Sequence, residues 1–232
     1  MSARFTTLLG LDARLQHRYG IYYAYAFVVA FYAVLLTMLG EWLPAWAVGI
    51  VVYSDPAVLG FFFLGALMML EKAEGARAAL AITPVSPADY FWSKALTLTL
   101  VAIVAVTVIG ATVHAEVNWA LLLAATVLTS IQFIGIGVPV ARLFKTVSSY
   151  LIGSTGLLVP VVLPCLLALY DPMPGWAVAI PAASQLKLIL VSFGAGSAGT
   201  VQISMMLGVS AVAAAAGAWW GIRSLEGELG GK

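Results

Sequence analysis

Six long apolar runs, joined by short polar connections, leave this chain few ways to fold: Ile21–Leu39, Pro56–Leu70, Ala95–Val113, Trp119–Val140, Val147–Tyr170 and Thr200–Ile222. One membrane-spanning helix needs about 20 predominantly apolar residues. Inside lipid every backbone amide must find its partner within the protein, which leaves helices or closed barrels. Runs of this length without period-2 alternation select helices. Charged residues make up 9 % of the chain, against about 25 % in soluble domains, too few to build a water-facing surface. The expected fold is therefore an all-α polytopic membrane protein. No segment outside the six runs is long enough for a separate soluble domain. The second run is short for a span unless Val48–Tyr53 dips into the membrane ahead of it.

The rest of the composition narrows the function classes. A net charge of +1 with no basic tail argues against nucleic acid. The single cysteine, Cys165, excludes an intrachain disulfide. The first apolar run is too long for a signal peptide and lacks a small-residue cleavage site, so it is expected to remain as a helix. Of the eleven lysines and arginines, ten fall at one end of a six-span arrangement and only Lys187 at the other. By the positive-inside rule both termini are cytoplasmic and the protein is multi-pass in the plasma membrane. Trp42, Trp46, Trp119 and Trp176 fall at outer helix ends, and Tyr19, Tyr22, Trp92, Trp219 and Trp220 at inner ends, where amphipathic rings anchor at the interface.

Two segments read as interfacial. Arg4–Arg18 carries Phe5, Leu8, Leu11 and Leu15 on one rough face, a pattern that Asp12 spoils. Trp176–Val191 is broken by Pro181 and carries Gln185 and Lys187, which suits a short helix at the outer surface leading into the last span. The boundaries that follow are a single transmembrane domain over 1–232: an N-terminal amphipathic helix in 1–19, spans 1–2 in 20–70, a cytoplasmic segment in 71–94, spans 3–4 in 95–140, spans 5–6 in 147–222 and a tail in 223–232.

At mid-depth the spans hold essentially no ionisable group, with Asp55 placed at the outer start of span two and Glu71 at its inner end. A transporter coupled to ions or protons ordinarily keeps such groups within its spans. The polar residues inside are neutral, among them Thr129, Gln132, Ser154 and Thr155. Hydroxyls of this kind ordinarily serve helix packing. Gln132 needs a partner, across a helix interface or in a path. Gln132, Thr129, Ser154 and Thr155 are the candidates for lining a translocation path.

Residues 71–94, EKAEGARAALAITPVSPADYFWSK, form the most informative stretch. Lys72–Ile82 is Ala-rich and reads as a helix with Glu74 and Arg77 three apart. Thr83-Pro84 stops it. Ser86 caps a new helix, with Pro87 at its first position and Asp89 three after the cap. On these residues alone the geometry suits a well-capped solvated loop first, and a docking element for a soluble partner second.

Glu71-Lys72-x-x-Gly75, Leu80-x-x-Thr83-Pro84-Val85-Ser86, Tyr90 and Lys94 resemble the motif of ABC type-2 exporter permeases, as does the layout of six spans with an N-terminal elbow helix and an outer half-helix before span six. Arg14-Leu15-Gln16-His17-Arg18-Tyr19-Gly20 followed by Tyr22-Tyr23 further resembles the small permeases assigned to fluoroquinolone export. The resemblance implies two permease chains, as homo- or heterodimer, driven by separate nucleotide-binding ATPase subunits that hold ATP and Mg. It makes residues 72–82 a coupling helix seated in a groove of the ATPase, with Glu71, Lys72, Glu74, Gly75, Arg77, Leu80 and Pro84 as coupling residues. In agreement, this sequence has no Gly-x-x-x-x-Gly-Lys-Ser/Thr loop to cradle phosphates, so the chain itself is expected to be no enzyme and to hold no cofactor or metal.

The expected function is outward movement of an amphipathic or lipophilic small molecule, such as a drug. The alternatives are a membrane scaffold that moves nothing, and a secondary transporter. Gly194-Ala-Gly196-Ser-Ala-Gly199 lacks the strand–helix context of a nucleotide site and reads as a turn into span six. Gly217-x-x-x-Gly221 reads as a close-packing pair or as chance in a chain with 22 glycines. Pro160 and Pro164 are expected to kink span five.

Overall fold

The computed structural model describes residues 3–39, 42–75, 85–112 and 116–229, and these hold helices and no strand. A first helix, α1 (Ala3–Arg18), turns at Gly20 into α2 (Ile21–Leu39). α3 (Ala45–Ala73), α4 (Pro87–Thr112), α5 (Trp119–Ala141) and α6 (Val147–Leu169) follow. A short α7 (Pro181–Ser192) precedes α8 (Thr200–Leu229). Helices α2–α6 and α8 are the six long and apolar enough to cross a membrane. α5 is central, packing against α3, α4, α7 and, most extensively, α8.

Local chemistry explains the helix ends. Asp89 N–H donates to Ser86 Oγ at 3.0 Å, and Ser86 Oγ donates to Asp89 Oδ2 at 2.8 Å. The expected cap therefore forms, with Asp in the place of the usual Glu or Gln. It opens one unbroken helix that continues through span three. Thr146 and Ser149 form the same reciprocal box at the start of α6, and Asn118 Oδ1 accepts from Leu121 N–H at the start of α5. α6 changes to a 3-10 helix over Leu163–Leu169 with Pro164 in its first turn, which is where the sequence expects the distortion.

Three expectations need correction. Span two does not begin at Pro56, and Val48–Tyr53 is no separate dip. The helix starts after Pro44 and carries Pro56 in its interior, as membrane helices permit when neighbours satisfy the freed backbone. Asp55 consequently lies about 15 Å along the axis from Ala45, inside the span and not at its outer start, and its side chain is buried. Second, α7 is not laid on the outer surface. Ten of its twelve residues are buried, because the groups that make it look too polar find partners inside the protein. Gln185 Nε2 donates to Gln132 Oε1 at 2.6 Å, and Lys187 Nζ donates to Tyr170 O at 3.1 Å and Asp171 Oδ1 at 3.2 Å. Third, Lys72 and Ala73 complete span two instead of opening a new helix. The backbone breaks at Gly75, whose φ of +72° is the left-handed conformation that ends helices and favours glycine.

The glycine pair of the last span is a contact. A Cβ on Gly217 would lie 2.9 Å from Gln132 O, and one on Gly221 would lie 3.1 Å from Gly135 O. The α5 and α8 backbones thus touch directly. Within α3, residues Leu59–Phe63 widen to a π-helix. Tyr150 of α6 lies over Gly65 and donates to Phe61 O at 2.5 Å, satisfying a carbonyl in the irregular turn.

A buried ion cluster at the basic end of the bundle

α1 presents a buried face that hydrophobicity alone does not reveal. Leu8, Asp12 and Gln16, successive at i, i+4, are all buried, whereas Leu11 is exposed. The residue that spoils the apolar pattern is thus the one on which the helix docks. Lys94 Nζ bonds Asp12 Oδ1 at 2.7 Å and Glu71 Oε1 at 2.5 Å. Tyr90 Oη donates to Glu71 Oε2 at 2.6 Å, and Ser93 Oγ donates to Asp12 Oδ2. The ammonium also sits 4.5 Å from the centre of the Tyr90 ring. Gln16 extends the seam: its Nε2 donates to Thr97 Oγ1 at 2.7 Å, and its Oε1 accepts from Tyr22 Oη at 2.9 Å.

Each element contributes by its periodicity. Tyr90, Ser93, Lys94 and Thr97 follow the i, i+3, i+4, i+7 spacing of one face of α4. Glu71 lies in the last turns of α3, and Asp12 in the middle of α1. One ammonium therefore ties together three helices, two of which, α3 and α4, flank residues 74–86. Lys94, Glu71 and Asp12 are all nearly inaccessible. Removing one member of such a group leaves the others uncompensated in a dry site.

The sequence-predicted coupling residues divide. Glu71 points inward into the cluster. Lys72, Glu74 and Gly75 are exposed, and Glu74 reaches Arg18 of α1 at 3.7 Å. Tyr19, beside Glu74, has its hydroxyl pushed up to about 12, chiefly by burial and next by that carboxylate. Arg77, Leu80 and Pro84, with the rest of the expected coupling helix, lie outside the described residues. Asp12 and Gln16 are the residues of this cluster that sequence reasoning missed. The available signal was a buried-type spacing of polar residues, 12 and 16, opposite Lys94.

The candidate path residues are not gathered in one place. Gln132 has its partner across a helix interface in Gln185. Thr129 and Thr155 bond the carbonyls of Ala125 and Leu151 in their own helices, and Thr155 is exposed. Ser154 is buried and its hydroxyl has no partner.

An all-helical bundle with six helices long and apolar enough to cross a membrane fits a multi-pass membrane protein. The family model of the fluoroquinolones export permease protein family matches residues 3–225, and the chain belongs to that family. No curated protein and no solved structure matches it.

Proposed function

We propose that this chain is the membrane-spanning half of an ATP-binding cassette exporter. A separate ATPase subunit, carrying ATP and Mg, drives it, and two such permease chains assemble with two ATPase subunits. The cargo is an amphipathic or lipophilic small molecule moved outward across the plasma membrane. The observation that carries this reading is the ion cluster. Residues 74–86 leave α3 three residues after Glu71 and rejoin α4 near Tyr90 and Lys94. A push on that connection reaches α1, α3 and α4 together, because Lys94 holds all three. The expected roles of Lys72, Glu74, Gly75, Arg77, Leu80 and Pro84 are contact with the ATPase, and that of Glu71 is transmission.

The test is co-purification. A Walker-type ATPase is expected to accompany the tagged chain. Arg77→Glu or Leu80→Asp is expected to abolish that association, while Lys94→Met keeps the ATPase bound but uncouples its hydrolysis from export. A chain that binds and stimulates no ATPase ends this reading and leaves a scaffold. A second reading, the secondary transporter, is favoured by one specific observation: Asp55 is a buried carboxylate inside span two and not at its outer start. It requires that export collapse with the proton gradient while ATP stays high.

A further inference from the structure

A groove of about 560 Å³ lies between α2 and α4. It exists because the side chains that line it are short. α2 offers Ala26 and Ala30, one turn apart, and α4 offers Val101 and Ala105 with the same spacing. Ala26 and Ala30 are exposed, as is Val104 on the opposite rim, so the groove opens sideways out of the bundle, toward lipid. It begins at Tyr22, where α2 begins, and follows α4 from Thr97 to Val108. That stretch of helix rises about 16 Å, close to the hydrocarbon depth of one leaflet, about 15 Å. An apolar slot of this length, open along its side, matches a single acyl chain.

The end of the groove nearest the ion cluster has a different chemistry. Its two polar side chains are already satisfied: Tyr22 Oη donates to Gln16 Oε1 at 2.9 Å, and Thr97 Oγ1 accepts from Gln16 Nε2 at 2.7 Å. Ala13 of α1 closes this end. Next to it in α1 is Arg14, which is exposed, and one turn on is His17, which shares a hydrogen bond of 2.9 Å with Tyr23 of α2. The charges here do not balance. Asp12 is bound to Lys94, and Glu74 to Arg18. Among the described residues no ion pair includes Arg14. A helix from a second copy of the chain would fill the slot and leave that guanidinium unanswered. A phosphate answers it, and guanidinium groups bind phosphate strongly.

We propose that this groove holds a resident anionic phospholipid, with one acyl chain in the slot and its phosphate on Arg14. The lipid fills the gap between α2 and α4 and fastens α1 to both. It is a bound component of the protein and not its cargo. The proposal goes beyond the export reading and requires only that the chain sits in a bilayer. Its test contains no ATPase and no transport, so the two readings fail separately.

The detergent-purified full-length chain is offered palmitoyl-oleoyl phosphatidylglycerol and palmitoyl-oleoyl phosphatidylcholine, which share their acyl chains and differ in charge. Native mass spectrometry counts the lipid that stays bound. Wild type is expected to retain one phosphatidylglycerol per chain, with a preference of about fivefold or more over phosphatidylcholine, the effect of one basic residue on an anionic lipid. Arg14→Gln is expected to erase the preference, and Arg14→Lys to keep it. Ala26→Leu combined with Ala30→Leu, at two exposed positions, fills the slot and is expected to weaken retention of both lipids alike. The proposal is overturned if wild type retains no lipid or shows no preference, if Arg14→Gln keeps the preference, or if the leucine pair leaves retention unchanged. A dimer that is lost in the leucine pair, with no lipid retained by wild type, would assign the groove to a second copy of the chain and equally overturn it.

Discussion

Lys94 holds one positive charge against two carboxylates in a space closed to water, and hydroxyls from Tyr90 and Ser93 complete the oxygens that it does not reach. Exposed pairs such as Arg18–Glu74 contribute little, being screened and mobile. The buried cluster differs because each member, once alone, has no water to turn to. Lys94→Met is therefore expected to destabilise the fold by about 3–5 kcal/mol, the cost of breaking a buried ion pair from one side. Adding Asp12→Asn and Glu71→Gln to Lys94→Met is expected to recover part of that loss, with coupling of about 0.5–3 kcal/mol. Unfolding in mixed micelles across the variants checks this. Strict additivity would show that the three side chains do not act together. Asp12 was illegible from sequence for a physical reason: hydrophobic periodicity scores a buried carboxylate as an error, and its justification lies 82 residues away on another helix.

At the scale of elements, the sequence was most legible where lipid alone decides. α2, α5 and α6 run within a residue or so of the expected bounds, since continuous apolar length dictates them. It was least legible where a neighbour decides. α3 begins eleven residues before the expected Pro56, and α7 is buried because Gln132, Tyr170 and Asp171 receive its polar groups. The glycine contact between α5 and α8 yields a prediction of the same kind. Gly135→Val drives a side chain into the backbone of Gly217 and is expected to cost about 1–3 kcal/mol. Gly208→Ala on the same α8 meets nothing within 4 Å and is expected to be neutral within about 1 kcal/mol. Thermal unfolding of the two variants in detergent separates packing from glycine content.

The turn that leads from α7 into α8 adds a pH dependence. Asp171 accepts from Ser197 Oγ at 2.7 Å and from Lys187 Nζ at 3.2 Å. The Ser197 hydrogen bond, followed by the lysine, holds its carboxyl below the usual range. A depressed carboxylate contributes stability that is fully present above its unfolded value, about 4, and is lost as pH falls through the lower folded value. Asp171→Asn is therefore expected to lower the melting temperature at neutral pH. The difference from wild type is expected to shrink only below about pH 4. A difference that instead vanishes between pH 5 and 8 would assign the effect to another group.

For the whole molecule, six spanning helices place α1 and the end of α8 at one end of the bundle, and the contacts agree. Phe91 lies beside Gly221, and Arg142 donates to the carbonyl of Ser224. That end also holds Lys72, Lys94 and Lys145, while Lys187 sits with Asp171 at the other. Which end faces the cytoplasm decides whether residues 74–86 can meet an ATPase at all. The positive-inside bias makes a definite prediction for it. In a Cys165→Ser background, a cysteine at Lys72 or Lys145 is expected to resist a membrane-impermeant maleimide applied to intact cells and to react after permeabilisation. A cysteine at Trp176, which is exposed, is expected to react from outside. The reverse pattern would place the ion cluster on the far side of the membrane from ATP, and no rearrangement of side chains would rescue an ATP-driven mechanism.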